Sequence, residues 1–334
     1  MIPFVPSLSV CLILAALASA QQGSVTVSTT LFPRSVVIAG PDHVICSFGA
    51  TNQSGVQQAV NVSVPNNPTN QGALFDPNYG DQFSDAVFTP AFGGRLVTAH
   101  RFGGINLIDA SVPWAMVGAY SQIQPPKYSQ EGLEIFADST GVFVGYSEHN
   151  VGNTGGGLRI FRMSANALTE ILPSHIVVGQ DANACEFSRD GRYLWQFGSV
   201  GNNSNDQRLF TYTTNAFSSG PTLISATLVP GPNTYGDKDL KQAMAPNLIA
   251  ALGFEGLAAV DVTTPSAPVF NQVYQSSIVF FDGVTFFPGS DYALTWGYVQ
   301  IGTSFFDFLM VLDASFLASR SRSRSCRRRS RCTT

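Results

Sequence analysis

A short pattern recurs along this chain and limits what it can become. A glycine opens an apolar strand, an Asp ends it five residues later, a Thr/Pro-rich turn follows, and a second apolar strand begins. The clearest copy is GLAAVDVTTPSAPVFNQVY, residues 256–274. Aligned on Asp261, the same event returns at Asp109 in GINLIDASVPWAMV, at Arg162 in GLRIFRMSANAL and at Asp313 in FLMVLDAS, with weaker copies centred on Thr213 and Asn61. The intervals from Asn61 onward are 48, 53, 51, 48 and 52 residues. A near-constant period of this length belongs to propellers and solenoids, whose units bury their apolar faces only against the next unit.

A second pattern lies upstream of each copy. In ACEFSRDGRYLWQFG two runs with period-two alternation flank Arg189-Asp190-Gly191, and Asp-Gly suits a hairpin because both residues tolerate positive φ. Segments such as AVFTPAFGGRLVTAH, EIFADSTGVFVGY and VTFFPGSDYALTWGY match it. Each repeat then holds four strands, A to D. The sixth repeat offers nothing strand-like after Asp313, whereas SVTVSTTL, residues 24–31, has no partner in its own repeat. The expected fold class is therefore all-β: a β-propeller of six four-stranded blades closed by the N-terminal strand, with seven blades as the alternative. Residues 21–317 form one domain in this reading, between a leader at 1–20 and a tail at 318–334.

The leader reading rests on an apolar run, Val10 to Leu17, followed by Ala18-Ser19-Ala20, a small-residue pattern that suits signal-peptidase cleavage between Ala20 and Gln21. The run is too short to span a bilayer, and no other segment reaches spanning length. Secretion is the expectation, with no transmembrane segment. Three glycosylation sequons, at Asn52, Asn61 and Asn202, fit that route. Cys46 and Cys185 fall on opposite sides of a six-bladed ring, too far apart for a disulfide, and are expected to be free thiols packed in sheets. Cys326 and Cys332 lie in the tail, where they are free to pair with each other or with another chain.

The tail, RSRSRSCRRRSR from Arg320 to Arg331, holds 7 of the 18 basic residues and leaves the rest of the chain with 11 basic against 22 acidic groups. So dense a charge does not pack, and disorder is expected there. Three roles stay open: loose association with the acidic body, contact with a polyanion such as a sulfated glycan or anionic lipid, and proprotein cleavage in the Arg327 to Arg331 run. Its composition resembles Arg/Ser domains of nuclear RNA-processing proteins, but the leader points away from the nucleus, and no nucleic-acid partner is expected.

If strand A lines the channel, the loops entering strand A and the B to C loops share one face. The former contain Asp81, Asp85, Glu131, Asp181, Asn183, Asp237, Asp239 and Asp282; the latter add His100, Glu148, His149 and Glu255. Oxygen ligands converging from several blades suit Ca²⁺ or a similar hard cation, which would polarise a carbonyl while His100 or His149 acted as general base. Against this, acidic and amide residues populate turns for conformational reasons alone. No G-x-S-x-G, H-E-x-x-H, Walker, C-x-x-C or G-x-G-x-x-G signature is present.

The segments at 104–120 and 256–274, with GLRIFRMS, resemble the LVIVD repeat, in which Gly-Leu and alternating apolar residues lead to Asp-Val-Ser and then Pro. The segment ACEFSRDGRYLWQFG is similar to the strand A to strand B hairpin of the wider six- and seven-bladed superfamily. The resemblance implies a secreted or cell-surface β-propeller and transfers no catalytic residues. The leading expectation is a non-enzymatic binding module for a protein, glycan or matrix partner. The alternative is a metal-dependent hydrolase resembling the six-bladed lactonases, with Glu131, Asn183, Asp239 and Asp282 as candidate ligands.

Overall fold

The computed structural model describes residues 32–313 apart from 40–42, 51–52, 62, 64–68, 76–82, 101–103, 111–114, 121–128, 150–155, 172–175, 180–181, 200–206, 215–220, 230–238, 243–246, 252–255, 275–277 and 287–291. The leader, strand 24–31 and the Arg/Ser tail thus lie outside the described residues, as do Asn52, Asn202, Cys326 and Cys332.

The described strands form six antiparallel sheets in chain order. The first sheet holds β1 (Phe32–Ile38), β2 (His43–Ala50), β3 (Gln53–Asn61) and β4 (Thr69–Phe75). The second holds β5 (Phe83–Thr89), β6 (Arg95–His100), β7 (Gly104–Asp109) and β8 (Ala115–Tyr120). The third holds β9 (Ser129–Asp138), β10 (Gly141–His149), β11 (Gly156–Met163), β12 (Leu168–Glu170) and β13 (Ile176–Gly179). The fourth holds β14 (Ala182–Phe187), β15 (Tyr193–Ser199), β16 (Gln207–Thr213) and β17 (Thr222–Leu228). The fifth holds β18 (Asp239–Gln242), β19 (Asn247–Ala251), β20 (Leu257–Asp261) and β21 (Val269–Tyr274), and the sixth β22 (Val279–Phe286), β23 (Tyr292–Ile301) and β24 (Ser304–Asp313). No helix among the described residues is long and apolar enough to cross a membrane.

One departure from four strands per sheet is in the third. There the outer position is divided, with β12 pairing Phe161–Met163 and β13 pairing Gly156–Leu158 of the same strand β11.

The sheets stack face to face, and each neighbouring pair encloses one apolar cluster. Ile45 meets Ala86, Leu96 and Ile108 between the first and second sheets. Val97 and Leu107 meet Val144, Tyr146 and Phe161 between the second and third, and Phe143 and Ile160 meet Phe187 and Phe210 between the third and fourth. Trp195, Phe197 and Leu209 pack on Leu240, Ala258 and Val260 of the fifth, and Leu257 packs on Phe281 and Val284 of the sixth. A sheet covered on both faces needs apolar residues on both, which is why GINLID and LAAVD read as continuous runs and not as alternating ones.

Local chemistry fixes the turns. Asp261 Oδ1 accepts the Thr263 N–H at 2.9 Å and so holds the bend after β20, the role expected of a strand-ending Asp. Asp109 differs: it forms an ion pair with Arg95, its register partner on β6, at 3.2 Å. Where the Asp is replaced, the Arg162 guanidinium lies 5.4 Å from the centre of the Phe143 ring. Gly191 takes φ +67° in the β14–β15 turn, and a Cβ there would fall 2.1 Å from the Phe136 ring of the third sheet. Cys185 is a buried free thiol, as expected.

Candidate functional site

The first strands β1, β5, β9, β14, β18 and β22 lie against one another in that order, so they form the inner edges at which the sheets converge. Five of them carry a bulge. One residue is left without a partner in the pairing with the second strand: Arg34 in β1, Ser84 in β5, Glu131 in β9, Asn183 in β14 and Asp282 in β22. Three of the four candidate ligands therefore occupy one equivalent position, inside a strand and not in the loop before it. Bulges of this kind re-aim a side chain and interrupt pairing beside functional sites.

Asp239 is not at that position. It matches Asp85, and the hydrogen bonds make the equivalence plain. Asp85 Oδ1 accepts its neighbour's N–H, from Ala86 at 2.7 Å, while Oδ2 accepts the Leu133 N–H of β9 at 2.9 Å. Asp239 accepts from Leu240 at 2.8 Å and, across to β22, from Val284 at 3.0 Å. Leu133 and Val284 each stand two residues past the bulge of their own strand. Glu186 does the same by a different reach, Oε1 accepting the Gln242 N–H of β18 at 2.9 Å. The physical reason is the edge: half the N–H groups of an inner strand have no strand partner, and a carboxylate from the preceding sheet satisfies one.

At the centre of these contacts is a charge cluster that links three sheets. The Lys241 ammonium of β18 donates to Glu134 of β9 and, at 3.4 Å, to Glu186 of β14. Burial works to lower the Lys241 pKa, but the charges of Glu134, Glu186 and Asp239 reverse this and hold it well above the usual lysine range. Burial likewise works against ionisation of Glu134, yet Lys241 and a hydrogen bond with Glu186 bring its pKa below the ordinary value. Glu186 goes the other way, pushed well up by burial and then by the negative charge of Glu134. Two carboxylates this close oppose each other's ionisation, and the pair is driven apart, down at Glu134 and up at Glu186. Burial also raises Asp239, and pushes Asp85 up to about 7.

The other candidates are placed by backbone alone. His100 ends β6 opposite Phe83, and His149 ends β10 opposite Ser129. Asp81, Asp181, Asp237 and Glu255 lie outside the described residues. Asn61 ends β3, and its Oδ1 accepts the Ser63 N–H at 2.8 Å within its own sequon. Among the described residues no group of three or more His, Cys, Asp or Glu side chains is close enough to hold a metal ion. Glu134, Glu186 and Lys241 were missed in the sequence. The signal was there: each carboxylate interrupts an apolar run, LEIF or CEF, inside a strand.

No protein-family model matches the chain, and no curated protein sequence matches it. Solved structures do. A protein from Lactobacillus plantarum is similar with TM-score 0.63 and 13% identity, covering 85% of each chain. The β-propeller domain of Cps50 (Swd1) from Myceliophteria thermophila is similar with TM-score 0.59 and 11% identity, over 84% of this chain and 83% of that one. A protein from Bacteroides fragilis provisionally described as a 6-phosphogluconolactonase gives TM-score 0.56 and 14% identity, over 85% of this chain and 86% of that one. The fold is that of a β-propeller.

Proposed function

We propose that the protein is a secreted, LVIVD-like β-propeller of six blades, closed by residues 24–31 pairing along β24, and that it is a non-enzymatic binding module. The observation that carries this reading is the use made of the inner-strand charges. Asp85, Glu186 and Asp239 accept backbone N–H groups of the next sheet, and Lys241 joins Glu134 to Glu186. Charges engaged in holding sheets together support a rigid scaffold, whose outer turns are then free to recognise a protein, glycan or matrix partner.

A second reading has one observation in its favour. Glu131, Asn183 and Asp282 share the bulge position in three sheets, which suits a cation-dependent lactonase or esterase more than Asp239 does. Metal content of the mature protein, its melting temperature in EDTA and in added Ca²⁺, and a lactone and aryl-ester panel separate the two. The binding reading expects no bound ion, no shift in EDTA, and equal background rates for the wild type and Glu131→Gln. One bound ion per chain, with hydrolysis lost in Glu131→Gln, would replace it by the hydrolase.

A further inference from the structure

We infer that a cleft between the fourth and fifth sheets is the docking site for an acidic peptide segment of a protein partner; this rests on the binding-module reading. The cleft has a volume of about 450 Å³, and Arg189, Arg192, Tyr193, Trp195, Val262 and Pro265 line it. It lies at the end of the sheets formed by the β14–β15 and β20–β21 turns.

Three features select the ligand. Arg189 is exposed on the β14–β15 turn, and no acidic group among the described residues pairs with its guanidinium. Arg192, three residues on, donates through Nε to Asp190 at 2.6 Å and lies 5.9 Å from the centre of the Tyr193 ring, while 75% of its side chain stays exposed. Two guanidinium groups on one rim suit carboxylates, which they grip in a planar, two-point geometry. The third feature is the floor. Trp195, only 2% exposed, forms its base. Tyr193 stacks on Trp195 at 6.3 Å, and Val262 beside it is buried, so the floor also offers apolar area to a peptide side chain.

The rim is held in place before any ligand arrives. Asp190 Oδ1 accepts from Ser188 Oγ at 2.7 Å and from the Arg192 N–H at 3.1 Å, and the Arg189 N–H donates to Gln242 Oε1 of the fifth sheet at 2.7 Å. A fixed turn loses little entropy on binding. A dense polyanion fits less well. Asp190 stands between the two arginines, and apart from the tail the chain carries 11 basic against 22 acidic groups, a field that opposes a sulfated glycan or an anionic bilayer. A short segment with one or two carboxylates carries far less charge against that field, and its apolar side chain has the floor to meet.

The test is selection from a phage-displayed library of random dodecapeptides on the full mature chain, followed by fluorescence anisotropy with the tightest peptide on wild type, Arg189→Lys and Arg189→Glu. Selected peptides are expected to be rich in Asp and Glu. Arg189→Glu should weaken them at least about tenfold, as loss of a charge-assisted contact implies, and Arg189→Lys less, with melting temperatures unchanged because the side chain is exposed. Neutral or basic selectants, or acidic ones that bind Arg189→Glu equally well, would overturn the site and leave the binding-module reading standing. Absence of any selectant overturns the site as well, while that reading then depends on the metal and lactone assays. Heparin or phosphatidylserine-vesicle binding that Arg189→Glu abolishes would replace the peptide by a polyanion.

Discussion

Replacing Lys241 by Met removes the cation that joins three sheets while keeping an unbranched stem of similar length. The fate of the two carboxylates decides the cost. Taking one partner from a buried ion group costs about 3–5 kcal/mol, because the remaining charge stays desolvated and unpaired. Here the Lys241 side chain is 26% exposed, and those of Glu134 and Glu186 17% and 12%. Water recovers part of the loss, and the raised pKa of Glu186 lets it take up a proton more readily than Glu134. The low end, about 3 kcal/mol, is therefore expected. For a domain of this size about 2 °C of melting temperature corresponds to 1 kcal/mol, which gives a fall of about 6 °C. Scanning calorimetry at pH 7 measures it, and added salt should change the difference little, since screening acts mainly on exposed charges. The triple variant Glu134→Gln/Glu186→Gln/Lys241→Met removes all three groups of the tie and should recover to within about 1 kcal/mol of wild type. A single variant that melts within 1 °C of wild type would refute the tie. A triple variant as unstable as the single one would show that the stem's packing, and not its charge, was responsible.

Two further outcomes follow from the same geometry. Burial raises Asp85 from 3.8 to about 7, so over that interval the folded protein holds a proton that the unfolded chain has released; stability then falls as pH rises from about 4 to 7, by at most about 1.4 kcal/mol per pH unit from this group. Asp85→Asn should reduce the slope of urea-unfolding free energy against pH in this window by up to one proton, and an unchanged slope would contradict the assignment. Deleting residues 21–31 should lower the melting temperature by several degrees if that segment covers the β24 edge; an unaltered melt would remove the closure proposal.

The repeat was legible because its signals are local. A glycine before β20, Asp261 accepting from Thr263, and Arg189-Asp190-Gly191 with φ +67° at Gly191 are each decided within a few residues, and the five apolar clusters follow once the sheets are stacked. The inner strands were harder to place. Glu131, Asn183 and Asp282 read as residues of the preceding loop because a bulge leaves one residue out of the pairing while the apolar residues around it continue as strand. Matching acids by type alone then aligned Asp239 with them, when its counterpart in the second sheet is Asp85.

The charge cluster shows why type and period are insufficient at such a site. Lys241 is 107 residues from Glu134 and 55 from Glu186, so no linear motif joins them; the contact exists only because three sheets bring their first strands together. An acid on such a strand has two destinations, and the bulge separates them. At Asp85, directly after its bulge, and at the equivalent Asp239, the carboxylate turns to an N–H that the neighbouring inner edge leaves unpaired. At the bulge itself the residue is outside the ladder. Ligand-binding acids are therefore to be sought first at the bulge residues, where Glu131 and Asp282 stand, and not at Asp85 or Asp239, whose carboxylates hold the neighbouring inner strand.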